Sequence, residues 1–245
     1  MGTGAVPFLT AEWRWLVMLN YEVDPGVLRP FLPAGTELDL WQGRTFASMV
    51  GFRFLNTKIH GITIPFHSDF EEVNLRFYVR RRTADGWRRA VVFIKELVPR
   101  RAIAWVARAF YNENYVALPM KHDVRQDENG AVRNVAYEWI FQGRSHGLEL
   151  AVQGEPKVVA AGSAEEFITE HYWGYARQRD GGTVEYQVQH PRWRVWPAQS
   201  SAFRCDVSGL YGPTFTAFLQ GAPASAFLAE GSSVTVFKGA RLALG

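Results

Sequence analysis

From Glu72 to Arg80 the chain alternates polar and apolar side chains: Glu-Val-Asn-Leu-Arg-Phe-Tyr-Val-Arg. Successive side chains of a strand point to opposite faces, so a period of two over this length specifies a β-strand. Glu72, Asn74, Arg76, Tyr78 and Arg80 then share one face, and Val73, Leu75, Phe77 and Val79 share the other. The apolar face has to pack on a core. Neighbours along the polar file stand roughly 7 Å apart by strand geometry. Such a file can line a ligand cavity, or it can be the wet side of an ordinary antiparallel sheet.

The rest of the chain is read in the same way. Trp13, Trp15, Val17, Leu19 and Tyr21 alternate with Glu12, Arg14 and Asn20, which predicts a strand with those five side chains on one face. Asp24-Pro25 reads as a helix cap followed by Pro at the first helical position. Leu38–Trp41 and Thr45–Leu55 read as a hairpin turning at Gln42-Gly43, and 57–69 as a loop. In Arg89–Val98, alternation places Val91, Phe93, Lys95 and Leu97 together, so Lys95 interrupts an apolar file. Ala102, Trp105, Val106 and Ala109 recur at helical spacing after Pro99. Further strands are expected at 131–142, 148–152, 172–178, 184–190, 202–207 and 233–244. Helices are expected at 213–221 and at 164–170, the latter announced by the capping box Ser163-x-x-Glu166. No repeat or biased linker divides the chain, so 1–245 reads as a single domain of about ten strands and a few short helices. The fold class is α+β, mainly β, with a closed or nearly closed barrel of mostly antiparallel strands.

Composition narrows the function classes. An apolar fraction of 47% with 21% charged residues is that of a globular chain and excludes disorder. The net charge is +3, but no basic stripe interleaved with stacking aromatics recurs, so nucleic acid is not expected as a partner. No apolar run is long enough to span a membrane, and the N-terminus lacks the pattern of a signal peptide. The lone Cys205 cannot form an internal disulfide, which fits a reducing compartment and a cytoplasmic location. Glycine-rich phosphate loops, G-x-S-x-G and H-E-x-x-H are all absent. No metal site and no cofactor are expected.

Several segments taken together carry a family resemblance. They are Glu72-x-Asn74-x-Arg76-x-Tyr78-Val79, Ala107-Arg108-x-x-Tyr111, Phe167-Ile168-Thr169-Glu170-His171-Tyr172-Trp173-x-Tyr175, His190-Pro191-x-Trp193, Leu210-Tyr211-Gly212 and Ala229-Glu230-Gly231-Ser232-x-Val234. In this order the chain resembles the YqjF-like family, a domain of unknown function grouped with the acetoacetate decarboxylase-like proteins. The resemblance implies a β-barrel with an enclosed central cavity, lined in part by the strand of Glu72. It places Glu72 at a glutamate of the decarboxylase site, and makes Asn74 and Arg76 part of the uncharacterised family's pattern. Acetoacetate decarboxylase works through a lysine that forms a Schiff base, its pKa lowered by a neighbouring cation. The decarboxylase motif is Pro-Lys-Lys; here it reads Pro119-Met120-Lys121, and Met cannot form an imine.

Three functions stay open. In the first, a polar cavity binds a small, carboxylate-bearing molecule through Glu72, Asn74, Arg76, Tyr78, Tyr111 and Tyr115, with Trp105 among the apolar liners. Arg76 would clamp the anion and Glu72 would act as acid, base or acceptor. In the second, a displaced lysine, Lys95 or Lys121, performs keto-acid decarboxylase or aldolase chemistry as a lyase; Lys95 could instead pair with Glu72. In the third, the barrel is non-catalytic and Glu72–Arg76 is a buried structural ion pair. The oligomeric state, including a homo-oligomer, is left open.

Overall fold

The computed structural model describes residues 7–99 and 114–243. The helix expected from Ala102 to Ala109, and with it Trp105 and Tyr111, lies outside those residues.

The chain is mainly β. Its strands are β1 Pro7–Glu22, β2 Glu37–Leu38, β3 Phe46–Ile59, β4 Ile62–Thr63, β5 Phe70–Thr83, β6 Gly86–Val98, β7 Tyr115–Ala117 and β8 Met120–Gln126. They continue as β9 Val132–Phe141, β10 Arg144–Val152, β11 Lys157–Val158, β12 Trp173–Arg177, β13 Thr183–Gln189, β14 Arg194–Arg204, β15 Ser225–Phe237 and β16 Ala240–Arg241. Helices are few and short. The one at Pro25–Leu28 starts where Asp24 accepts a hydrogen bond from the Gly26 amide. The one at Ala164–Thr169 starts at Ser163, whose hydroxyl accepts from the Glu166 amide, as the capping box predicts.

The strands form one network in the order β16-β13-β12-β6-β5-β3-β1-β15-β14-β10-β9-β8. β13 also pairs with β15, through Val188 opposite Val236 and Gln189 opposite Thr235. The path β13-β12-β6-β5-β3-β1-β15 therefore returns to its start. Pairing is antiparallel except where β6 meets β12 and β7. Two cores result. Leu16, Met18, Val50, Phe52, Phe227 and Ala229 pack on one face of the network. Val17, Leu19, Met49, Leu75 and Phe77 pack on the other, against Tyr137, Trp139, Leu148 and Leu150 of β9 and β10 and the helical residues Leu210 and Leu219.

Two sequence expectations are corrected. The turn at Gln42-Gly43 forms with positive φ at both residues, as a tight hairpin turn requires, but it closes only one bridge, Trp41 to Arg44. Leu38 is instead buried beside Val79, because β2 pairs with β5. The second correction concerns parity. Trp13 and Trp15 do not share a face, because Trp15 is an extra residue at φ +57, and β1 advances from Arg14 to Val17 while β3 moves only from Arg53 to Gly51. Trp13 packs edge-on against Phe52 and Phe54, with centroids 5.4 and 5.8 Å away, whereas Trp15 meets Trp196. Gly231 lies opposite Arg14 at φ +79, and a Cβ there would stand 2.0 Å from the Trp13 carbonyl oxygen, so only glycine fits.

The same device recurs in two further strands that bear on the pocket. Asn56 at φ +54 adds a residue to β3 between Leu55 and Lys58. In β6, Lys95 lies opposite Leu75 but Phe93 lies opposite Arg76, so Ile94 is extra. Lys95 therefore leaves the file of Val91 and Phe93.

Candidate functional site

These three bulges decide which side chains meet in one pocket. Phe52 and Phe54 join Thr57 and Ile59 on one side of a pocket, Trp13 joins Leu16, and Val91 and Phe93 join Glu96, although simple alternation would separate the members of each set. β5 carries no bulge relative to β3, so Phe70, Glu72, Asn74 and Arg76 stay in one file and line the same pocket. Tyr115 of β7, His171 after the helix Ala164–Thr169, Trp173, Tyr186 and Val188 of β12 and β13, and His190 and Trp193 beyond them also line it. The pocket has a volume of about 210 Å³.

The walls are aromatic and the floor is ionic. Glu72 is buried and accepts a 2.9 Å hydrogen bond from Asn74 Nδ2 and a 3.5 Å one from the Tyr115 hydroxyl. Glu96 is buried on the neighbouring strand. Arg76 is 8% exposed, and its Cζ lies 5.8 Å from the Tyr78 ring centroid. It makes no ion pair among the described residues, and its Nε is buried without a hydrogen-bond partner.

His171 also lines the pocket. Its Nε2 lies 3.3 Å from Asp39 Oδ2, which also receives a 2.7 Å hydrogen bond from Arg89 Nε. Burial works to raise the Asp39 carboxyl, but the hydrogen bonds from His171 and Arg89 outweigh it and hold the carboxyl below its usual range. Burial pushes the His171 imidazole down to about 4, against the opposing pull of Asp39. At neutral pH the ring is therefore uncharged and faces an ionised carboxylate. Nε2 carries the proton, and Nδ1 presents a bare lone pair. His190 is likewise lowered by burial; it stacks on Trp193 with centroids 4.2 Å apart.

Buried polar atoms in folded proteins are as a rule hydrogen-bonded. Here Trp13 Nε1, Thr57 Oγ1, Asn74 Oδ1, Arg76 Nε and His171 Nδ1 are buried without a partner, and all five residues line this one pocket. The arrangement offers both donors and acceptors to whatever enters.

Of the residues singled out in the sequence, Glu72, Asn74, Arg76 and Tyr115 come together here. Tyr78 does not line the pocket. It lies on the same file but beneath the floor, its hydroxyl 2.6 Å from Ser48 Oγ and its ring 4.7 Å from that of His171. Lys95 points away on the opposite face of β6, where its ammonium donates to the Leu210 carbonyl and lies 5.8 Å from the Tyr211 ring. It does not pair with Glu72. Lys121 lies on β8 with a side chain 72% exposed, 3.2 Å from Glu138. All five lysines of the chain fall within the described residues, and none lines the pocket. Tyr111 lies outside the described residues. Sequence reasoning missed Glu96, hidden by the bulge at Ile94. His171 stands in the sequence only as part of a family segment with no role assigned; Asp39, its partner, is far away in the chain and left no local signal. Among the described residues no cluster of His, Cys, Asp or Glu is placed to hold a metal ion, and no helix is long and apolar enough to cross a membrane.

Comparison with known proteins adds the context. The model of DUF2071, a family described as an uncharacterized conserved protein, matches residues 10–233. The uncharacterized protein YqjF of Bacillus subtilis is 24% identical over 209 residues, which cover 82% of this chain and 81% of its own. Among solved structures, the enduracididine biosynthesis enzyme MppR complexed with pyruvate superposes with a TM-score of 0.67 at 15% identity, covering 98% of this chain and 92% of that one. An acetoacetate decarboxylase-like enzyme from Sphingomonas wittichii RW1 gives 0.67 at 13% identity, with coverage of 96% and 93%. The acetoacetate decarboxylase of Legionella pneumophila gives 0.66 at 14%, with coverage of 98% and 88%. At such identities the likeness is one of fold.

Proposed function

Because the chain belongs to the DUF2071 family and has the acetoacetate decarboxylase-like fold, we propose that its strands close a barrel around a central cavity that binds a small carboxylate-bearing molecule. Arg76 takes the carboxylate, Glu72 and Asn74 contact the rest of the head group, and the aromatic walls hold an apolar remainder.

The observation that carries this reading is Arg76. A guanidinium cannot discharge by losing its proton, and a buried cation without a counter-ion costs several kcal/mol. Its fork geometry suits a carboxylate bidentately. The pyruvate complex of MppR supports the choice of ligand, since that protein of like fold takes up a small carboxylate. The same observation disfavours a structural Glu72–Arg76 pair, which is not made. Imine chemistry is disfavoured because no lysine reaches the pocket. What remains open to the site is binding, or acid–base chemistry through Glu72. The single cysteine supports a cytoplasmic setting.

Calorimetric titration with pyruvate and a panel of small monocarboxylates tests the proposal. Arg76→Ala should weaken binding by roughly 10–100-fold, the worth of a charge-assisted hydrogen bond, while the circular dichroism spectrum stays native. Unchanged affinity in a folded Arg76→Ala protein would end the proposal.

A further inference from the structure

Two of the orphaned atoms in the pocket are acceptors, and their identity is settled by what lies behind them. Asn74 Nδ2 is committed to the Glu72 carboxylate at 2.9 Å, so the atom without a partner is the carbonyl Oδ1. His171 Nε2 is committed to Asp39, so the atom without a partner is the lone pair of Nδ1. Both residues line the pocket beside Arg76. The imidazole of His171 and the guanidinium of Arg76 lie against the same Tyr78 ring, at 4.7 and 5.8 Å from its centroid, and Asn74 is two residues from Arg76 on one face of β5. One small molecule can reach all three.

Resting on the reading that Arg76 holds a carboxylate, we infer that the ligand carries a proton donor, a hydroxyl or an ammonium, on the carbon beside that carboxylate, and that His171 Nδ1 receives its proton, with Asn74 Oδ1 taking a second one where the donor is an ammonium. A keto oxygen at that place brings only lone pairs. It leaves the buried acceptors unpaired and faces them with like partial charge, and a site built around hydrogen bonds rejects such an analogue strongly. His171 is thus the specificity-determining residue. Asp39 is a positioning residue: it fixes the tautomer, and Arg89 holds Asp39 in place at 2.7 Å.

The test is a matched trio with one isopropyl side chain: 2-hydroxyisovalerate, valine and 2-oxoisovalerate, each titrated calorimetrically into the wild-type protein. At least one of the donor-bearing acids should bind about tenfold or more tighter than the keto acid, since one unmet buried acceptor is worth about that much. His171→Phe, which keeps a ring against Tyr78, should bring the ratio close to one. Asp39→Asn, which frees the tautomer, should lower it as well. A second readout is the His171 Nδ1 signal in 15N NMR, which should move when the tighter acid is added. The inference is overturned if 2-oxoisovalerate binds as tightly as the other two, or if the ratio survives in His171→Phe. If none of the three binds, the carboxylate reading falls and this inference falls with it. If the keto acid binds best and needs Arg76, only the inference made here falls.

Discussion

Replacing Gly231 with Ala tests the claim that the bulge in β1 shapes the pocket. Gly231 has φ +79, and an added Cβ would lie 2.0 Å from the Trp13 carbonyl oxygen and 2.8 Å from its carbon. Two costs add. A left-handed backbone costs a residue with a Cβ about 1–2 kcal/mol. Relief of a contact with backbone, which cannot swing aside, costs about a further 1–3 kcal/mol by analogy with overpacked cores. A total of about 3 kcal/mol lowers Tm by roughly 6–12 °C in a chain of this size. Gly130 supplies the control. It too has φ +79, but a Cβ there meets nothing within 4 Å. Gly130→Ala should show the backbone cost alone, roughly 2–8 °C. Thermal unfolding of both variants, followed by circular dichroism, measures the difference. Equal losses would refute the reasoning, because the Trp13 carbonyl would then contribute nothing.

Three further outcomes are expected. His171 is held at about 4 by burial, against 6.5 in an open chain; between those values the unfolded chain binds a proton that the folded one refuses, so stability is whole above the upper value and falls as pH drops through the window. Urea titrations at several pH values should show a loss of about 3 kcal/mol across that window, and His171→Phe should flatten it. Burial pushes the Cys205 thiol up to about 12, so an aromatic disulfide reagent should leave the native protein unlabelled at mildly alkaline pH and label it in urea. Borohydride reduction in the presence of pyruvate should add no mass to any of the five lysines; an adduct on Lys95 or Lys121 would mean that the side chain reaches substrate by a route this pocket does not provide.

What could be read from the sequence was whatever depends on an uninterrupted period. β5 is such a strand, and its file of Glu72, Asn74 and Arg76 meets in the pocket. The file was legible because nothing breaks its parity; Tyr78 belongs to it but sits one step too deep. β1, β3 and β6 change parity at Trp15, Asn56 and Ile94. Asn tolerates the left-handed region and gives a faint hint, whereas Trp and Ile give none. The cost fell on Trp13, assigned to the wrong face, on Lys95, taken as a candidate though it leaves the pocket, and on Glu96, which was not singled out. The pairing of His171 with Asp39 spans 132 residues of chain. No local pattern reports such a contact, so His171 has no role in the sequence beyond its place in a family segment.

The β12–β13 hairpin has a consequence for traffic into and out of the protein. Its register with β6 is Trp173 opposite Ala90 and Gly174 opposite Val91, and with β15 it is Val188 opposite Val236 and Gln189 opposite Thr235. β5, by contrast, is laced to β3 and β6 along most of its length. The hairpin nonetheless supplies Trp173, Tyr186 and Val188 to the pocket wall. Prising this panel outward breaks fewer main-chain bonds than opening the ring beside β5, so partial opening is least costly there. For the ligand proposed above, residence time would be set by how firmly these two short seams hold, with the ionic floor on β5 staying in place during exchange.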